Sequence, residues 1–206
     1  MKKLKTKKSL VIAMVGLVGS GKNTIAQALA KQIGAKVIDA DEIRIALRKM
    51  GKNYDATRHI AETIAGEIIR RGRNVVLASD FVDAKKRKLF ENKAKQWEAR
   101  VKYVRVVADR DVMIGRILSA SYKNTADDFF GGASTAWRGN SKYHGAIVKM
   151  REMWRRTPHH YQWVNKNGGA WLLKKLPIKF FAVIDATDPK LWKSAVRKVS
   201  QRLKRD

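Results

Sequence analysis

The chain has 206 residues, 45 Lys and Arg against 18 Asp and Glu for a formal charge of +27, and no cysteine, which excludes disulfides, thiolate metal sites and cysteine nucleophiles. That length suits one domain with a core large enough to shape a cleft, and no stretch approaches the roughly 20 uninterrupted apolar residues of a membrane-spanning helix, so a soluble, cytoplasmic protein is expected. The positive field attracts polyanions but is equally compatible with a solvated basic surface, and it chooses no substrate.

Lys2, Lys3, Lys5, Lys7 and Lys8 precede an apolar run, Leu10–Val15, that is too short for a secretion signal and passes straight into glycines. It reads as a parallel strand buried on both faces. Ile25, Ala28, Leu29 and Ile33 then recur at helical spacing, with Gly34 placed to close the helix. The alternation continues with a strand at Lys36–Asp39, a helix from Ala56 to Arg71 closed by Gly72, a strand at Asn74–Ser79, a helix at Ala84–Ala99, a strand at Val101–Val107 and a helix at Asp111–Ala120. A last strand, Lys179–Asp185, leads to a helix at Pro189–Lys204, with Asp188 as its cap and Pro189 at its first position. The fold class expected is α/β: a five-stranded parallel sheet with helices on both faces, in a single domain spanning 1–206. The pattern breaks between about Ser121 and Pro177, which reads as an enlarged lid or acceptor-binding insertion at 121–177 with a helix at Ile147–Arg156 stopped by Pro158.

Between the first strand and first helix lies Gly16-Leu17-Val18-Gly19-Ser20-Gly21-Lys22-Asn23-Thr24, a G-x-x-x-x-G-K loop in the required strand–loop–helix setting. Its glycines let successive backbone N–H groups face phosphate oxygens, and the helix start adds a positive dipole end. Lys22 would reach the β- and γ-phosphates of ATP. Asn23 stands where a hydroxyl usually meets magnesium, and the hydroxyl comes one residue later, at Thr24. Gly19-Ser20-Gly21-Lys22-Asn23-Thr24 resembles the loop of the nucleoside-monophosphate-kinase-like group of P-loop kinases. The resemblance implies ATP and Mg2+ as cofactors, with Gly16, Gly19, Ser20, Gly21, Lys22, Asn23 and Thr24 binding the nucleotide and Thr24 holding the metal or its water.

After the second strand, Asp39-Ala40-Asp41-Glu42-Ile43-Arg44 resembles the D-x-x-R of adenylate, dephospho-coenzyme-A and polynucleotide kinases. By that resemblance Asp41 orients or deprotonates the acceptor and Arg44 grips its phosphate. A carboxylate can accept a hydroxyl proton, and a guanidinium forks onto phosphate oxygens. The alternative is a helix-capping Asp followed by a surface Arg. Asp80, after the third strand, would hold magnesium water if strands one and three are neighbours, or else cap the next helix. Arg87 stands among Lys85, Lys86 and Lys88 and reads as part of a solvated face. Arg116 resembles the arginine that opens the lid helix of the group and contacts ATP phosphates. Ala120 stands where a second arginine is common, so Lys123, Arg138 or an arginine of the later insertion would supply that charge. Val183-Ile184-Asp185-Ala186-Thr187 resembles the loop over which these kinases lay the adenine.

From Arg138 to Lys179 ten Lys or Arg stand against Glu152 alone, interleaved with Trp137, Tyr143, Trp154, Tyr161, Trp163 and Trp171. Such a mixture suits single-stranded nucleic acid or a nucleotide, and equally a helical subdomain with a tryptophan core. His144, His159 and His160 read as phosphate or surface contacts. The favoured function is an ATP-dependent phosphotransferase acting on a nucleoside, nucleotide or similar phosphate-bearing small molecule, without a membrane partner. The alternatives are a polynucleotide 5′-hydroxyl kinase and a nucleotide-binding protein, nucleic-acid-binding or regulatory, that uses the nucleotide as a switch with little turnover.

Overall fold

The computed structural model describes residues 8–120, 144–165 and 168–206. Strand β1 (Leu10–Val15) is followed by helix α1 (Lys22–Ile33), β2 (Ala35–Ile38), α2 (Ala40–Lys49), α3 (Thr57–Arg70), β3 (Asn74–Leu77), α4 (Ala84–Gln96), β4 (Arg100–Val107) and α5 (Arg110–Ser119). Then come α6 (His144–His160), β5 (Tyr161–Val164), β6 (Ala170–Leu173), β7 (Phe180–Asp185) and α7 (Leu191–Arg205). Five strands form a parallel sheet in the order β2-β3-β1-β4-β7, and β5 pairs with β6 as a separate antiparallel hairpin.

Every residue of β1 is buried. Leu10, Ile12 and Met14 point to one face and pack with Ile25 and Leu29 of α1 and with Val196, Val199 and Leu203 of α7. The alternate residues Val11, Ala13 and Val15 face Ala61, Ala65 and Ile69 of α3 and Phe90 of α4. Period-two alternation along one apolar strand thus covers both faces with helices, as a parallel sheet requires. A third cluster joins Leu17 of the phosphate loop to Met113 and Ile117 of α5, Ala146 and Met153 of α6, and Tyr161. The insertion is thereby packed onto the loop itself. Among the described residues no helix is long and apolar enough to cross a membrane.

Several sequence expectations change. Asp39–Arg44 leads into a helix, α2, that periodicity did not reveal. Asp83, not Asp80, caps α4, accepting the Lys86 N–H at 2.8 Å. Arg87 is buried, not solvated, and donates to the carbonyls of Phe81 at 3.0 Å and Val82 at 2.5 Å, closing the chain between β3 and α4. Pro189 lies ahead of α7, where Asp188 accepts the Lys190 N–H at 2.6 Å. Pro158 lies inside α6, which runs on to His160. A proline deprives a helix of one hydrogen bond. Here the last turn is held from outside, because Arg105 donates to the His160 carbonyl at 3.1 Å and the His160 ring meets Asp80. Among the described residues the tryptophans of the insertion do not form a core: Trp154, Trp163 and Trp171 are 56%, 50% and 38% exposed, whereas Met153 is fully buried, and Trp137 lies outside the described residues.

Burial on this scale predicts that Ile12→Ala lowers the free energy of unfolding by about 2–5 kcal/mol, while Leu118→Ala on the exposed side of α5 changes it by less than about 0.5 kcal/mol, both read from urea titrations.

Candidate active site

The strand order reverses at β1, which lies between β3 and β4, so the crevice beyond its carboxyl end is where ligands of such sheets bind. The loop Gly16–Gly21 occupies that crevice. Gly19 and Gly21 adopt φ of 83° and 87°, the left-handed region where a side chain is strained. At Gly19 a Cβ would also fall 2.9 Å from the Met113 carbonyl oxygen, whereas at Gly21 its nearest neighbour would be 3.6 Å away. The first residue of α1 is Lys22, which puts the positive end of that helix at the loop. The Ser20 hydroxyl is buried without a hydrogen-bond partner.

Two carboxylates flank Lys22. Asp39, at the end of β2, accepts from the Asn23 side chain at 2.5 Å and from the Asp41 N–H at 2.9 Å. Burial pushes its pKa up, with Asp41 and Glu42 adding to that; the Asp41 N–H and Lys22 work against it. Asp80, after β3, accepts the Gly16 N–H at 3.4 Å and meets His160 Nε2 at 3.0 Å, with Arg156 at 3.7 Å. Burial alone would raise the Asp80 pKa, but the hydrogen bond and charge of His160, with Lys22 and Arg156, hold it below the ordinary value. Asp80 therefore stands beside the loop, as adjacency of strands one and three requires. Its partner His160 is 2% exposed, not a surface contact.

Asp41 and Arg44 sit three residues apart on α2 and pair at 2.8 Å. Arg116 on α5 donates to the carbonyls of Gly19 at 3.4 Å and Ala186 at 2.5 Å, linking the phosphate loop to the loop after β7. Thr187, on that loop, accepts the Asp109 N–H at 2.9 Å. Lys123 and Arg138 lie outside the described residues. Lys149 of α6 lines the cleft beside Arg116, so the cation the insertion brings there is a lysine on a helix turn and not the expected arginine.

Two clefts open on this centre. One, of about 170 Å3, lies between α2, α3 and the end of β3, with Arg44, Arg58, Asp80 and Arg156 in its wall. The other, of about 220 Å3, runs along the phosphate loop past Thr24, Arg116 and Lys149. Lys22 and Asp41 line both. Among the described residues no cluster of three or more His, Asp or Glu forms a ready metal cage. Asp39, Asp80, Asn23 and Thr24 offer only scattered oxygens, which fits a magnesium ion held mainly by substrate phosphates and water.

The sequence model of a family described as AAA domain matches residues 11–128, more than half of the chain. The chain belongs to that AAA domain family. No curated protein matches this AAA domain chain in sequence. Solved structures match it in fold. A Chloroflexus aurantiacus protein provisionally described as a kinase aligns with TM-score 0.59 at 20% identity, over 95% of this chain and 98% of its own. The Mycobacterium tuberculosis APS kinase CysC, in complex with AMPPNP and APS, aligns with TM-score 0.56 at 14% identity, over 94% and 98%. Shikimate kinase from Bacteroides thetaiotaomicron aligns with TM-score 0.54 at 13% identity, over 95% and 98%. The AAA domain chain thus has the fold of the P-loop kinases.

Sequence reasoning missed Asp39, Arg156, His160 and Lys149. Asp39 had a local signal in its place at the end of β2, two residues before Asp41. The others are brought in by α6, about seventy to eighty residues beyond Asp80, and nothing local marks them.

Two outcomes follow from this geometry. Gly21→Ala costs about 1–2 kcal/mol through backbone strain alone, and Gly19→Ala costs more because it adds the Met113 clash; urea titrations rank them. Asp80 has its carboxyl pKa lowered in the folded state, so its pairing stabilises the protein above the ordinary value of 3.8 and that contribution is lost as pH falls through the lowered one. Thermal unfolding of Asp80→Asn is therefore below wild type at neutral pH, and the two approach each other on acidification below about pH 4.

Proposed function

We propose that this protein is an ATP-dependent phosphotransferase that moves the γ-phosphoryl group to a nucleoside, nucleotide or similar phosphate-bearing small molecule. The observation that carries the reading is the shared wall: Lys22 and Asp41 line both the cleft along the phosphate loop and the cleft between α2, α3 and β3. A donor in the first and an acceptor in the second would meet at these two side chains. The kinase fold supports the same reaction class. The names of the APS kinase and shikimate kinase neighbours point to small acceptors.

In this reading the backbone of Gly16, Gly19, Ser20 and Gly21, with Asn23 and Thr24, holds the ATP phosphates. Lys22 and Arg116 offset charge on the phosphoryl oxygens as the bond to the leaving oxygen lengthens. Asp41 accepts the proton of the attacking acceptor hydroxyl, and Arg44, already paired with it, orients it and the acceptor phosphate. Arg58 and Arg156 add positive charge on the acceptor side. Thr24 and Asp80 would hold magnesium or its water, and the bound ion would supply positive charge against the phosphate oxygens. Positioning and charge supply most of the rate, and packing of α6 over the loop helps exclude water.

The test is magnesium-dependent ATP consumption with nucleosides, nucleoside monophosphates, dephospho-coenzyme A, gluconate, shikimate, APS and a 5′-hydroxyl oligonucleotide. One small acceptor is expected to stimulate turnover, and Lys22→Ala to reduce it by about 100-fold or more. Stimulation by the oligonucleotide alone would replace this reading with a polynucleotide kinase. Nucleotide binding without stimulation by any acceptor would replace it with a switch.

A further inference from the structure

Outside both clefts, β5 and β6 present an aromatic surface that the phosphate chemistry does not use. Trp163 stands directly opposite Trp171 in the antiparallel pair. Their rings are 5.4 Å apart at 65°, and Leu172 and Leu173 are exposed beside them. Two features hold the rings in place while leaving them open. Trp163 lies over Gly169, where an added Cβ would fall 2.1 Å from the ring, and its indole N–H donates to Asn165. The Arg110 guanidinium sits 4.5 Å from the Trp171 ring centre.

The hairpin beneath is rigidly seated. The Tyr161 hydroxyl donates to the Ala108 carbonyl at 3.0 Å, in the interior. Arg105, only 4% exposed, donates to the carbonyls that bracket the hairpin, those of His160 at 3.1 Å and Lys174 at 2.9 Å. Ordering two tryptophans in solvent on a fixed base removes the entropy cost a ligand would otherwise meet.

The charge around them selects the ligand. The acid in this part of the chain, Glu152, is occupied by Arg155 and Arg156. Arg110 lies against the Trp171 ring, and Lys174 and Lys175 follow β6 in sequence, with the Lys174 Nζ donating to the Pro158 carbonyl at 3.5 Å. A second copy of the chain would bring two bodies of +27 together. A polyanion carrying flat rings meets both the charge and the indoles.

We infer that the β5–β6 hairpin is a docking surface for single-stranded nucleic acid, with bases stacked on Trp163 and Trp171 and phosphates held by Arg110 and by the basic chain that follows β6 at Lys175. This surface is separate from the two clefts, so it does not depend on whether the protein is a kinase.

The test uses the full chain and a fluorescein-labelled 20-nucleotide oligo-dT, with an abasic oligonucleotide of the same length and phosphatidylserine vesicles for comparison. Binding is expected to quench tryptophan emission, to weaken steeply with salt and to persist in saturating MgATP. Trp163→Ala with Trp171→Ala should weaken oligo-dT binding by about tenfold or more with the salt slope unchanged, while the double Phe variant keeps most of the affinity. Circular dichroism confirms that the hairpin variants remain folded, and the Phe pair carries the test if the Ala pair does not. Equal affinity for the abasic strand, displacement by MgATP, an unaffected Ala pair, or stronger binding to the vesicles would each overturn the inference. So would self-association that the Ala pair abolishes.

Discussion

The constraint on which the rest of this structure depends is the complete burial of β1. A strand with no solvent face must be paired on both edges and covered on both sides, and its neighbours β3 and β4 and the helices α1, α3, α4 and α7 do this. Parallel pairing then places the carboxyl ends of β1, β2 and β3 at one rim. Backbone N–H groups leaving that rim have no strand to pair with, and a glycine-rich turn can gather them around an anion. Gly16 shows how tight the turn is, since a Cβ there would fall 2.7 Å from the Val106 carbonyl oxygen of β4. The phosphate loop is thus a consequence of where a wholly buried strand has to stop.

The same rim explains the docking of α6. Asp80 leaves β3 beside the loop, and its side chain is only 6% exposed. A buried carboxylate left alone is costly, by several kcal/mol, and must be paired. His160 and the Gly16 N–H pair it, and His160 is in turn held by Arg105 through its carbonyl. Sheet, phosphate loop and insertion therefore share one polar network. An apolar cluster of Leu17, Met113 and Met153 joins the same loop to α5 and α6.

Much of the fold was legible because it is periodic. The β1 run, the helical spacing in α1 and the five alternating strands are local patterns, and the glycine loop carries its own spacing. The hairpin carries a weaker local signal: Tyr161-Gln162-Trp163-Val164 and Ala170-Trp171-Leu172-Leu173 flank Asn165–Gly169, which is turn chemistry between two short β-prone runs. Helix α2 was hidden by its length and charge. Arg87 was read as solvated because its neighbours are lysines, although burial depends on which carbonyls it meets, not on its neighbours in sequence. The partners of Asp80 and Lys22 were illegible for the same reason: they lie on different elements, and only the folded chain shows which side chains share a cavity.

The two carboxylates beside Lys22 show what that sharing does. Asp39 and Asp80 are the same residue type, each at the end of a neighbouring strand, yet burial dominates at one and cationic partners at the other, so their proton affinities move in opposite directions. Environments that push paired acids apart give them separate roles. On acidification Asp39 takes up its proton first, and with it the acceptor oxygens that fix Asn23 and the start of α2 are weakened. Asp80 keeps its charge to lower pH than Asp39, and with it the contact to the loop. The overall charge of +27 has no part in this ordering, which is set within a few ångströms by His160, Lys22 and Arg156. The positive field draws anions toward the protein, whereas the order in which these two carboxylates lose their charge is set locally.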